Sequence, residues 1–149
     1  MTIVEWRDQA LLFSTDPALL DIDLIHRFLS EDSYWVPGIA RELVATGIAN
    51  SLCFGVYSEG AQIAFARVVT DYVGVGYLAD VFVIAERRGQ GISKRLMQFV
   101  LAHPQLQRLR RFMLATLDAH GLYAQFGFTT LAAPDRFMER FDAEALLRR

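Results

Sequence analysis

The sequence predicts an α/β (α+β) domain built on a mixed, mostly antiparallel sheet, and three observations carry that prediction. Two β-rich runs, Leu52–Tyr57 and Gln62–Val69, flank Ser58-Glu59-Gly60, a hairpin signal. Tyr77–Ile84 is a nearly unbroken apolar run that ends in Arg87-Arg88-Gly89-Gln90-Gly91, after which a helical pattern begins. Phe112–Thr116 then completes a strand–helix–strand unit behind the meander.

The remaining elements follow in order. Leu11–Ser14 reads as a short first strand, stopped by Thr15-Asp16-Pro17. Leu20, Leu24, Ile25 and Phe28 recur at helical spacing and predict a helix to about Leu29. Pro37 suits a helix start, and Ile39, Leu43 and Ile48 predict a second helix ending near Asn50. From Gly91, the positions Ile92, Leu96, Phe99, Val100 and His103 mark one helix face, which Pro104 ends. Ala119–Phe126 predicts a short helix, and Phe128–Leu131 and Arg136–Phe141 read as final strands. No linker or repeat interrupts the chain, so one domain over residues 1–149 is expected.

Composition narrows the function classes. Fifteen basic and seventeen acidic residues leave a net charge of −2, which argues against a nucleic-acid partner. No apolar run approaches membrane-spanning length, and the first residues lack a signal-peptide pattern, so a cytoplasmic protein with no membrane partner is expected. A single cysteine, Cys53, lies between Leu52 and Phe54 and is expected to be a buried thiol in a reducing compartment. No group of Cys, His or acidic residues has metal-ligand spacing, so no metal is expected.

A buried strand, a glycine turn and a helix start gather unpaired N–H groups and a positive dipole end around an anion. Lys94 stands where the dinucleotide fingerprint needs a third glycine, and Ile92-Ser93 stands where the nucleotide-hydrolase loop needs Lys then Ser or Thr. Arg88-Gly89-Gln90-Gly91 instead resembles the acyl-CoA-binding motif Q/R-x-x-G-x-G/A of the GNAT superfamily of N-acetyltransferases, with Glu86 departing from its first position. Tyr123-Ala124-Gln125-Phe126-Gly127-Phe128 resembles the later Y-x-x-x-G-F pattern of the same family, again after a strand. Asp118–Tyr123 and Ser51–Tyr57 are similar to a group of small stand-alone bacterial members.

The resemblance implies the GNAT fold, with about six to seven strands, about four helices, and a sheet splayed between the fourth and fifth strands. It implies acetyl-CoA as co-substrate and transfer of an acetyl group to a primary amine of a small molecule or peptide-like acceptor in a ternary complex. The coenzyme A pyrophosphate would rest on the backbone N–H groups of Arg88, Gly89, Gln90, Gly91, Ile92 and Ser93. Pantetheine would pair with the preceding strand, where an N–H near Val81, Phe82 or Val83 would meet the carbonyl oxyanion. Tyr123 would be the leaving-group acid.

Asp80, a lone carboxylate in a buried strand, is the candidate general base, the alternative being an ion pair with Arg67. Asp118 and His120 follow a strand end near the expected acceptor, where a capping aspartate and a loop histidine are the other reading. Trp35, with Glu31, Asp32 and Tyr34, offers acid and aromatic contacts suited to a cationic amine. The family also admits homodimers. A non-catalytic acyl-CoA-binding module of the same fold is the competing functional class.

Overall fold

Six strands form one sheet, in chain order, among residues 2–148, the residues described by the computed structural model. They are β1 (Glu5–Asp8), β2 (Leu11–Ser14), β3 (Leu52–Ser58), β4 (Ala61–Thr70), β5 (Val75–Val83) and β6 (Arg111–Leu114). Neighbours from β1 to β5 are antiparallel, and β5 and β6 are parallel. The four α-helices are α1 (Ile22–Arg27), α2 (Arg41–Ala49), α3 (Ile92–Leu101) and α4 (His120–Ala124). The expected mixed, mostly antiparallel sheet with about four helices is therefore observed.

Each face buries its own apolar set. Phe13, Phe54, Val68 and Leu78 pack with Leu96, Met97, Phe99 and Val100 of α3 and with Tyr123 of α4. On the opposite face, Ile25, Phe28, Leu29, Ile39 and Val44 from the α1–α2 region pack with Cys53, Phe65 and Phe82. The face of α3 predicted from periodicity is the buried one, including His103, whose Nδ1 accepts from the Gln105 N–H at 3.1 Å. His26 likewise has a structural partner, with Nε2 2.9 Å from the Ile39 carbonyl oxygen.

The hairpin between β3 and β4 closes through Glu59 and Gly60, both at positive φ (51° and 81°), between the paired residues Ser58 and Ala61. That is the turn whose twist matches the flanking strands. The hairpin between β1 and β2 has no signature in the sequence. It turns at Gln9, also at positive φ (57°), where glutamine carries no turn signal.

Two further expectations are corrected. Pro37 lies outside α2, which starts at Arg41 after an extended Ala40. Phe128–Leu131 and Arg136–Phe141 form no strands; Pro134–Arg136 is a 3-10 turn, and Met138 and Phe141 are exposed. A β-rich run becomes a strand only with a ladder partner, and the described residues offer these segments none.

Cys53 is buried, and its thiol donates to the Ile48 carbonyl oxygen at 3.6 Å. Burial pushes its pKa from an ordinary 9.0 up to about 12, and burial likewise raises that of Tyr57. Above pH 9.0 the unfolded chain therefore loses the thiol proton before the folded chain does. Stability should fall with rising pH through that window, by about 1.4 kcal/mol per pH unit for each such group at most. Urea titrations from pH 8 upward, roughly within the window where thiols titrate, should show this decline, with a shallower slope for Cys53→Ala.

Candidate functional site

The site is built around a bulge. β4 and β5 pair as Phe65 with Phe82 and Arg67 with Ala79, so β5 carries an extra residue over this interval. Leu78 and Val83 consequently point into the same core although they stand five positions apart, an odd offset that would put them on opposite faces of a regular strand, while Phe82 faces the other core. Asp80 occupies the bulge with φ of 55°, a left-handed backbone rare for a residue with a Cβ.

The Asp80 side chain is only 11% exposed and both oxygens are engaged. Oδ2 accepts from Arg67 Nε at 2.6 Å, and Oδ1 accepts from Trp35 Nε1 at 2.9 Å. Arg67 also donates through Nη1 to Ser51 Oγ at 3.0 Å. The ion pair weighed from the sequence is thus present, and Trp35 is brought to the same carboxylate.

Trp35 arrives there through a local widening of the first helix. After α1 the chain makes a π-helical turn over Phe28–Asp32, closed by the Ser33 N–H donating to the Phe28 carbonyl at 2.9 Å. A π turn shifts the helical register and so re-aims the side chains of the residues after it. Here it delivers Tyr34 and Trp35, whose rings meet edge to face at 5.0 Å. Tyr34 Oη accepts from the Leu117 N–H at 3.0 Å, tying this loop to the segment beyond β6. The sequence holds no signal for that contact.

The parallel ladder between β5 and β6 runs from Val75–Arg111 to Leu78–Leu114 and stops there. Ala79–Val83 therefore presents backbone groups toward β6 without a strand partner, and Asp80 sits just past the last rung. This is the splay expected between the fourth and fifth strands, which are β5 and β6 once β1 is counted. The Phe82 side chain stacks on Phe28 at 4.0 Å and is core, so only its backbone faces the gap.

Beyond the open edge, a groove of about 260 Å³ is lined by Val83, Arg87, Arg88, Gly89, Gly91, Ile92, Ser93 and Lys94. Gly89 and Gly91 have φ of 79° and 75°, and a Cβ on either would meet nothing within 4 Å except the space of the groove itself. Gly91 caps α3 without a side-chain hydrogen bond. Among the described residues, no acceptor is found for the N–H groups of Gly89, Gln90, Gly91, Ile92 and Ser93. The Arg88 N–H differs, donating to the Ala85 carbonyl at 3.3 Å, and its Nε donates to the Val83 carbonyl at 3.1 Å. The side chain of Ile92 is buried core, so its share of the cradle is main chain only. Free donors at the start of a ten-residue helix suit a phosphate-bearing group.

Tyr123, Gly127 and Phe128 prove to be parts of one helix stop. The Gly127 N–H donates to the Ala124 carbonyl at 3.2 Å, and the Phe128 N–H to the Tyr123 carbonyl at 3.3 Å. Gly127 has φ of 88°, as the left-handed residue of this cap requires. The Tyr123 and Phe128 rings pack at 5.9 Å, the apolar contact that accompanies such a stop. Tyr123 is buried, and burial, with the Tyr34 phenol adding to it, holds its own phenol above the ordinary 10.0. Asp118 and His120 are exposed beside it, and the α4 entry is held by Thr116 Oγ1, which accepts from the Ala119 N–H at 3.1 Å, in place of the aspartate cap considered from the sequence.

The sequence matches the acetyltransferase (GNAT) family over residues 22–128, most of the chain and all of the site just described. The chain belongs to that family. A crystal structure of a Xanthomonas campestris protein described as a proposed acetyltransferase of the GNAT family is 54% identical, with a TM-score of 0.89 over 91% of this chain and 96% of that one. A Gibberella zeae protein whose name proposes an acetyltransferase is 32% identical over 142 residues, 80% of this chain and 79% of its own. Glucosamine-6-phosphate N-acetyltransferase of Arabidopsis thaliana shares the fold at 16% identity, with a TM-score of 0.57 over 95% of this chain and all (100%) of that one. Among the described residues no helix is long and apolar enough to cross a membrane, and no cluster of His, Cys, Asp and Glu could hold a metal ion.

A Cβ at position 127 would meet nothing within 4 Å, so Gly127→Ala isolates the cost of left-handed backbone. Thermal unfolding of that variant should show a loss of about 1–2 kcal/mol, or about 2–8 °C in Tm for a chain of this size.

Proposed function

We propose that the protein is an acetyl-CoA-dependent N-acetyltransferase that acetylates a primary amine by direct attack in a ternary complex. The observation that carries this reading is the alignment of free donors. An unpaired β5 edge leads into a run of N–H groups, from Gly89 to Ser93, that lack acceptors among the described residues. Pantetheine would extend along Val81–Val83, and the pyrophosphate would sit on the N–H groups at the start of α3. Bound acetyl-CoA supplies the activated acetyl group as a thioester.

The chain's own residues do the rest. A β5 N–H in the Val81–Val83 stretch donates to the carbonyl oxygen as negative charge develops there. Tyr123, a phenol held above the ordinary 10.0 by burial, is protonated at neutral pH and so has a proton to give the departing thiolate. Asp80, paired with Arg67, orients the incoming amine and accepts its hydrogen bond. Asp118 and His120 stand at the exposed rim, where an amine proton can pass to water.

A second reading has one observation in its favour. Both Asp80 oxygens are occupied, as a module that binds acyl-CoA without turnover would allow. The two readings part on turnover. With acetyl-CoA and a panel of small primary amines, thiol release should accompany acetyl-amine formation. Tyr123→Phe should lower kcat by about 10²-fold with acetyl-CoA affinity unchanged. Because the Tyr123 pKa is raised, the wild-type rate should hold until the pH passes the ordinary tyrosine value of about 10. Acetyl-CoA binding with no turnover of any amine selects the second reading.

A further inference from the structure

The two Asp80 oxygens are held by donors of different kinds. Oδ2 takes Arg67, a permanent cation anchored in turn on Ser51. The Arg67 guanidinium also packs 3.6 Å from where a Cβ on Gly47 would lie, so α2 closes over it. Oδ1 takes the indole N–H of Trp35, a neutral single donor on a side chain that is 38% exposed. Both donors make a charge-assisted bond to a carboxylate oxygen, but an ammonium adds the attraction of a full opposite charge, which the neutral indole N–H lacks.

The surroundings of Oδ1 describe the competitor. Tyr34 and Trp35 stand at 83° to each other and form an aromatic corner, exposed on its outer side. Phe28 backs Trp35 at 6.4 Å. The Tyr34 side of that corner is tied to Leu117, so it stays in place if Trp35 moves. A cation with a flat apolar body satisfies both features, its ammonium on Oδ1 and its body against the rings.

We propose that Trp35 is a placeholder on Asp80. Its indole holds Oδ1 in the free protein and yields that oxygen to the ammonium of an arylalkyl primary amine. It then serves as an aromatic wall for the ligand. The identity of this ligand as an acceptor rests on the acetyltransferase reading above, but its binding does not.

Trp6 and Trp35 are the two tryptophans, so Trp6→Phe leaves Trp35 as the sole indole reporter. In that background 2-phenylethylamine should produce a saturable change in Trp35 emission. Equimolar sodium chloride and the uncharged 2-phenylethanol should not. Asp80→Asn should weaken amine binding by about tenfold or more, since an amide can still accept from the indole but offers no charge. Trp35→Phe vacates Oδ1 and keeps a ring, so by calorimetry it should bind the amine as tightly as wild type or more tightly.

An identical response to 2-phenylethanol, no saturable change, or weaker binding by Trp35→Phe would overturn the proposal. An amine that displaces Trp35 without being acetylated counts against the acetyltransferase reading alone. An amine that is acetylated with no Trp35 response counts against the placeholder alone.

Discussion

The ion pair between Arg67 on β4 and Asp80 on β5 fixes the point at which the sheet stops being a continuous ladder. Asp80 holds a left-handed backbone that a residue with a Cβ adopts only when its surroundings demand it, and Arg67 and Trp35 supply that demand. Breaking one partner of such a poorly exposed pair leaves an uncompensated charge, a loss of up to about 3–5 kcal/mol. With the pair in place, the bulge turns Phe82 to the α1 side and Val83 to the α3 side, and β5 leaves β6 behind after Leu78.

Everything useful at the site depends on that parting. An unpaired strand edge is a liability in most folds and tends to recruit another strand. Here a 3-10 turn over Ala85–Arg87 carries the chain from that edge to the Gly89–Gly91 turn, so the edge and the helix start follow one another along a single groove. Tyr34 and Trp35 bridge the same gap from the other side, one bonded to Leu117 beyond β6 and the other to Asp80 on β5. Tyr123, held at the bottom of a helix whose stop is set by Gly127 and Phe128, keeps a protonated phenol close to that bridge.

The legible parts of the sequence are those where local chemistry dictates the backbone. Gly89, Gly91 and Gly127 all have positive φ, so their motifs are visible as residue types that the conformations require. The β-rich runs of β3 and β4, buried almost throughout, and the apolar face of α3 are equally local. The misread parts depend on distant partners or on unusual residues. Gln9 makes a turn without turn chemistry, and the runs after Phe128 have strand composition but no strand to pair with. Asp80 is visible as an out-of-place carboxylate, and Arg67 as its partner. Its contact with Trp35, 45 residues away, and the bulge that presents it are not.

What matters most at this site is whether the β5 edge and the helix start bind one ligand as a single surface. Amide chemical shifts followed during titration with coenzyme A test it most directly. In a single binding surface, the N–H resonances of Val81–Val83 and Gly89–Ser93 should move together with one dissociation constant. Shifts confined to the Gly89–Ser93 turn, or lying elsewhere on the sheet, would contradict it.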